Sequence, residues 1–121
     1  MGDDFLSRKT EAKKQSPAKL KGSDLLRSVP YEKGFHFFTE LGKYTGITAC
    51  STVEFAEKLQ IIPVESVMFH FQRQDFQKWL INTIGDEEIA KKIDSIEVRP
   101  SDENLRKELF KTVRNRITEL Q

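Results

Sequence analysis

The sequence predicts an α+β fold that is mostly helical, with a small β-hairpin packed on four or five short helices behind a flexible basic N-terminal tail. Three observations lead there. Strand formers cluster at Phe35–Thr39 and again at Ile47–Cys50. From Ser51 onward, helix-start and helix-stop residues bracket segments with apolar groups at helical spacing. Residues 1–22 lack the apolar groups that a fold must bury.

The tail comes first. Phe5, Leu6 and Leu20 are its large apolar groups besides Met1, set among Lys, Ser, Gly and Pro17. Fixing a backbone costs about 1–2 kcal/mol per residue, which so few groups do not offset. Residues 1–22 carry six basic and three acidic residues, leaving fourteen basic and sixteen acidic afterwards, so the tail is +3 and the body −2. A body so near neutrality lacks the strong basic field of a dedicated nucleic-acid domain.

Residues 23–121 then read as a single small globular domain, a size that supports a core without staples. Ser23–Arg27 suits a short helical turn, and Pro30 turns Val29 toward an extended conformation. The two clusters of strand formers enclose Gly42 and Gly46, which reads as a hairpin with a loop from about Glu40 to Gly46. Ser51-Thr52-Val53-Glu54 fits a capping box at the head of a helix over Thr52–Gln60, stopped before Pro63.

Between Val64 and Ile84 the apolar residues wind around too much of a helix for one stripe. The spacing predicts two helices with a break near Gln72–Gln74, Asp75 capping the second, and Phe76, Trp79 and Leu80 facing the core. Gly85 ends that helix, and Asp86-Glu87-Glu88 opens a short one carrying Ile89, Ala90 and Ile93. Ile96–Pro100 reads as an extended connector or edge strand. A last helix starts at Ser101, its core line made by Leu105, Leu109, Val113 and Ile117 and widened by Phe110 and Leu120. Such a line must be covered, and its four-residue spacing drifts as a packed helix does, where a coiled coil holds a heptad.

Several of these segments, taken in order, resemble a prokaryotic domain-of-unknown-function family over residues 28–93. The residues that carry the likeness are Pro30-Tyr31-Glu32-Lys33-Gly34-Phe35-His36-Phe37-Phe38-Thr39, Gly42-Lys43-Tyr44-Thr45-Gly46, Phe69-His70-Phe71, Asp75-Phe76-x-x-Trp79 and Gly85-Asp86-Glu87-Glu88-Ile89-Ala90. The family pattern has Gly where this chain has Gln74. The resemblance implies a prokaryotic cytoplasmic origin; it carries no reaction, ligand or partner, so no functional residue is transferred.

Chemistry is sparse. Cys50 is the one cysteine, which excludes an intramolecular disulfide and fits a reducing, cytoplasmic setting. His36, His70 and Cys50 are too few and too scattered for structural zinc, and no metal or other cofactor is implied. No apolar run approaches the roughly 20 residues that span a bilayer, so no membrane partner is expected. Lys43-Tyr44 in the hairpin loop is a candidate recognition element, because loops on rigid hairpins often carry binding residues. Lys107, Lys111 and Arg114 form a basic stripe along the last helix that suits phosphates, with Glu103 placed to pair with Lys107. Phe35, Phe37, Phe55, Phe69, Phe71, Phe76 and Trp79 are assigned to the core, leaving Tyr31, Tyr44 and Phe38 as rings for a surface. The leading expectation is a cytoplasmic protein-interaction or regulatory module without its own catalysis. A nucleic-acid-associated protein using the tail and the basic stripe is the second reading, and a small enzyme whose site forms only in the fold is the third.

Overall fold

The computed structural model describes residues 22–97 and 102–121, so residues 1–21 of the expected tail and the Val98–Pro100 part of the connector lie outside the described residues, while Gly22, expected to end the tail, opens the first helix. Six α-helices and one two-stranded antiparallel hairpin follow in order: α1 (Gly22–Leu25), β1 (Phe35–Glu40), β2 (Lys43–Ala49), α2 (Thr52–Leu59), α3 (Val64–Arg73), α4 (Asp75–Trp79), α5 (Glu87–Asp94) and α6 (Asp102–Leu120). This is the expected α+β architecture, with five short helices and a long last one. Ile96 and Glu97 are in no strand, which corrects the edge-strand reading for those two residues.

Strand alternation sets the hairpin's two faces. Phe35 and Phe37 are buried and 4.9 Å apart between ring centres, while His36 and Phe38 point the other way and are half-buried. The hairpin is tighter than its glycines suggested. Glu40 pairs with Lys43, so Leu41 and Gly42 alone make the turn, with Gly42 at φ 81°. Lys43 and Tyr44 therefore lie on β2 and not in a loop. The second glycine serves the strand: β2 bulges opposite Phe37, where Gly46 takes φ 86°. The Thr45 hydroxyl donates to Phe37 O at 2.7 Å and accepts the Ile47 N–H at 3.1 Å, which satisfies backbone groups the bulge displaces from the ladder.

The helix boundaries follow local chemistry. Ser51 Oγ accepts the Glu54 N–H at 3.1 Å, as a capping box requires, but Glu54 Oε1 takes the N–H of Cys50, one residue before the cap, at 2.7 Å. Between α3 and α4 the chain breaks at Gln74, which adopts a left-handed φ of 62° and closes α3 by donating its N–H to His70 O and Phe71 O. Asp75 does not cap α4. The residue before it, Gln74, holds the cap position without a side-chain bond, and the Asp75 carboxylate is turned to His70 and Arg73. After Trp79 the helix widens into a π-turn over Leu80–Ile84, where Gly85 N–H and Asp86 N–H both donate to Leu80 O at 2.8 Å. Arg27 closes this end by donating to the carbonyls of Thr83 and Ile84 at 2.9 and 3.0 Å.

Phe35, Phe37, Phe55 and Phe76 form the centre of one core, with Phe35 5.3 Å from Phe76 and 5.7 Å from Phe55. Trp79 closes its side and donates its indole N–H to Lys33 O at 2.9 Å. Phe69 departs from the expected assignment and Phe71 meets it in part: both are half-buried because α3 turns Val67 and His70 inward, but Phe71 packs against the edge of the core and Phe69 does not. The α6 line is fully covered. Leu105, Leu109, Val113 and Ile117 are buried within the chain, where α6 packs on α2, α3 and α5. Asp86, itself buried, joins α5 to α6. It accepts the Ile89 N–H at the head of α5 and a two-point contact from Arg116, Nε to Oδ2 at 2.9 Å and Nη2 to Oδ1 at 3.1 Å.

Candidate functional site

The core side of β1 anchors the hairpin, which leaves its other face and tip to meet α3, α4 and the π-turn across a cleft of about 620 Å³. Phe38 and Leu41 come from the hairpin, Phe69 and Arg73 from α3, Trp79 from α4, and Asn82 from the π-turn. The size is within the roughly 300–1,000 Å³ of ligand sites, and apolar groups with a few placed polar ones are their usual lining.

Geometry at its wall centres on His70. The N–H of Phe38 donates to His70 Nε2 at 2.8 Å, so that nitrogen carries no proton. The ring proton therefore sits on Nδ1 and is donated to Asp75 Oδ2, also at 2.8 Å. Burial lowers the His70 pKa and outweighs the opposing pull of Asp75, which agrees with a neutral ring. With both nitrogens engaged, His70 ties β1 to the α3–α4 break and has no free lone pair for a substrate. Burial raises the Asp75 pKa, but the bonds from His70 and Arg73 outweigh it and the net shift is downward, so the carboxylate stays ionised.

Asp75 passes this order outward. Its Oδ2 accepts Arg73 Nε at 2.9 Å, and the guanidinium carbon lies 4.9 Å from the centre of the Phe69 ring. Arg73 is thus held at the cleft by a carboxylate on one edge and an aromatic face beneath. Its two Nη groups make no hydrogen bond among the described residues. The nearby Lys78, exposed on α4, has no ion-pair partner among them either.

Beside the cleft, the outer hairpin face continues as a patch of rings. Tyr31 and His36 are 5.0 Å apart, Phe38 and Tyr44 5.5 Å, and the two tyrosine hydroxyls share a hydrogen bond of 3.0 Å. Thr48 Oγ1 joins His36 Nδ1 at 2.7 Å and also bonds the Tyr44 hydroxyl. Tyr31 and Tyr44 are exposed, at 60% and 41%, and Leu41 at the hairpin tip reaches 76%.

The residues singled out from sequence are divided between two surfaces. Tyr44 belongs to the ring patch, and Lys43 lies beside it, paired with Glu40 at 3.5 Å. Lys107, Lys111 and Arg114 are exposed on α6, on a separate element that packs on α2, α3 and α5. Glu103 does not pair with Lys107 as its spacing suggested. It binds Arg106 at 2.9 Å, because Arg106 is fixed there by donating to the carbonyls of Leu59 and Ile62. The sequence reading missed Arg73, Asp75 and Leu41 as site residues. No local signal marks them, because the cleft forms only where hairpin, α3, α4 and π-turn meet.

A larger, more polar hollow of about 830 Å³ lies between α5 and α6, lined by Glu97, Glu108 and Glu119. It borders residues 98–101, outside the described set, and Glu119 is already paired with Lys92 and Arg116. Among the described residues, no group of three His, Cys, Asp or Glu side chains is placed to hold a metal ion, and no helix is long and apolar enough to cross a membrane.

Comparison with known proteins bears on most of the chain. The model of a family of unknown function, DUF5752, matches residues 14–114. The chain belongs to this family. The match extends past the region 28–93 on both sides and so takes in most of α6 as well as the hairpin, the cleft and the His70–Asp75 step. Neither the comparison with curated proteins nor that with solved structures gives a match.

Proposed function

We propose that this DUF5752 chain is a cytoplasmic protein-interaction module without catalysis of its own, and that it docks a protein partner on the outer hairpin face and the cleft beside it. One observation carries the reading: Leu41, exposed to water, lines a cleft whose walls are held in place by a closed hydrogen-bond network, and the exposed rings of Tyr31 and Tyr44 lie beside that cleft. Exposed aromatic and aliphatic groups beside a pocket are what interface centres are made of. The one histidine at the cleft wall with a carboxylate partner is committed on both nitrogens, which favours a binding role over acid–base chemistry there.

Leu41→Asp tests this without threatening the fold, since the side chain is outside the core. A partner recovered with the full-length chain should be lost with Leu41→Asp and retained with Lys111→Glu. The reverse pattern, with nucleic acid recovered and binding weakening steeply with salt, would replace this reading with the nucleic-acid one that uses Lys107, Lys111 and Arg114.

A further inference from the structure

We propose that the cleft recognises an acidic amphipathic segment of a protein partner, taking a bulky apolar side chain between Phe38, Leu41 and Trp79 and pairing a neighbouring carboxylate with Arg73. The proposal rests on the docking reading above and specifies its ligand.

Arg73 is the reason for the class. A surface arginine ordinarily samples many rotamers, and ordering it on binding costs free energy. Here the cost is largely met in advance: Asp75 holds Nε, Phe69 supports the guanidinium plane, and His70 holds Asp75. The Nη pair is left at the cleft, where planar donors suit a carboxylate. Among the charged groups that line the cleft are Arg73 and Lys78 against the single carboxylate of Asp75, whose Oδ2 already takes two bonds, and His70 is neutral. A wall of net positive charge over an apolar floor complements an apolar residue flanked by Asp or Glu and opposes one flanked by Lys or Arg. On α6 the hollow shared with α5 is polar, lined by Glu97, Glu108 and Glu119, and Lys107, Lys111 and Arg114 do not line it.

The test selects short random peptides displayed against the immobilised full-length chain, with Leu41→Asp protein used to remove those that bind elsewhere. Trp79, the only tryptophan, lines the cleft and reports binding of the selected peptides by its emission. The expected consensus is a large apolar residue next to Asp or Glu. Replacing that acid by its amide should weaken binding roughly tenfold or more, as charge-assisted bonds worth about 1.5–3 kcal/mol require. Arg73→Gln should abolish the distinction between acid and amide, whereas Arg73→Lys should keep part of it. A thermal melt confirms that each variant is folded. Cleft-dependent peptides with no acidic preference, or an acid preference that survives Arg73→Gln, would overturn the ligand class and leave the docking reading standing. If no selected peptide is sensitive to Leu41→Asp, both fall.

Discussion

Replacing His70 by Phe asks whether the network behind the cleft is as closed as its geometry indicates. Phe preserves most of the ring packing, including the contact at 4.7 Å with Phe35, so the loss is confined to hydrogen bonds. The Phe38 N–H loses its acceptor in a half-buried setting, at about 1–3 kcal/mol. Asp75 loses one donor but keeps Arg73, a further cost of about 0.5–1.5 kcal/mol. The sum is about 2–4 kcal/mol, or a fall in Tm of roughly 8–20 °C for a domain of this size. A pH series adds an independent check. The folded His70 has a lowered pKa, so between the ordinary value near 6.5 and that lower one the unfolded state binds more protons. The stability that His70 contributes is thus fully present above pH 6.5 and is lost as pH falls below it. Urea unfolding at about pH 7 and about pH 5 should show the native chain losing more stability than His70→Phe. A loss under about 1 kcal/mol at pH 7, or an equal pH slope in both proteins, would refute the assignment of a neutral, doubly bonded ring.

Three further substitutions probe the frame. Gln74→Gly relieves the left-handed strain at the α3–α4 break while loosening the unfolded chain, for a net gain of about 0.5–1 kcal/mol measurable by thermal melting; a loss would show that the Gln74 side chain has a role of its own. Asp86→Ala takes from Arg116 its two-point partner, leaving it Glu119 at 3.1 Å, and removes the cap of α5, so chemical denaturation should show a loss of about 2–4 kcal/mol. Leu109→Asp puts a charge where α6 meets the core, and sedimentation with circular dichroism should find an unfolded monomer; a folded monomer arising from a native dimer would show that α6 pairs between chains.

What was legible in the sequence was what local chemistry decides. Ser51, Gly85, Asp86 and the α6 line mark their elements because a cap, a left-handed stop and a buried stripe each need particular residues at particular spacings. The hairpin was legible but not its turn, since either Gly42 or Gly46 suits the turn, and only strand pairing assigns one to it and the other to a bulge. Phe69 read as core for a related reason: periodicity shows that a face is apolar, and neighbours decide whether it is covered. Asp75 is the instructive case. An aspartate before a helix normally caps it, yet a buried imidazole N–H five residues earlier is the more demanding partner, and that competition exists only once the chain is folded. The cleft, built from hairpin, α3, α4 and π-turn, has no local signature.

The central claim concerns where a partner sits, and site-specific photo-cross-linking measures that directly. A benzophenone side chain placed at Leu41, exposed beside the cleft, should form an adduct with the protein recovered by the native chain, and Arg73→Gln should weaken it. The same group at Lys111 on α6 should give none. Adducts from position 111 with none from position 41 would contradict the account and move the binding surface to the last helix.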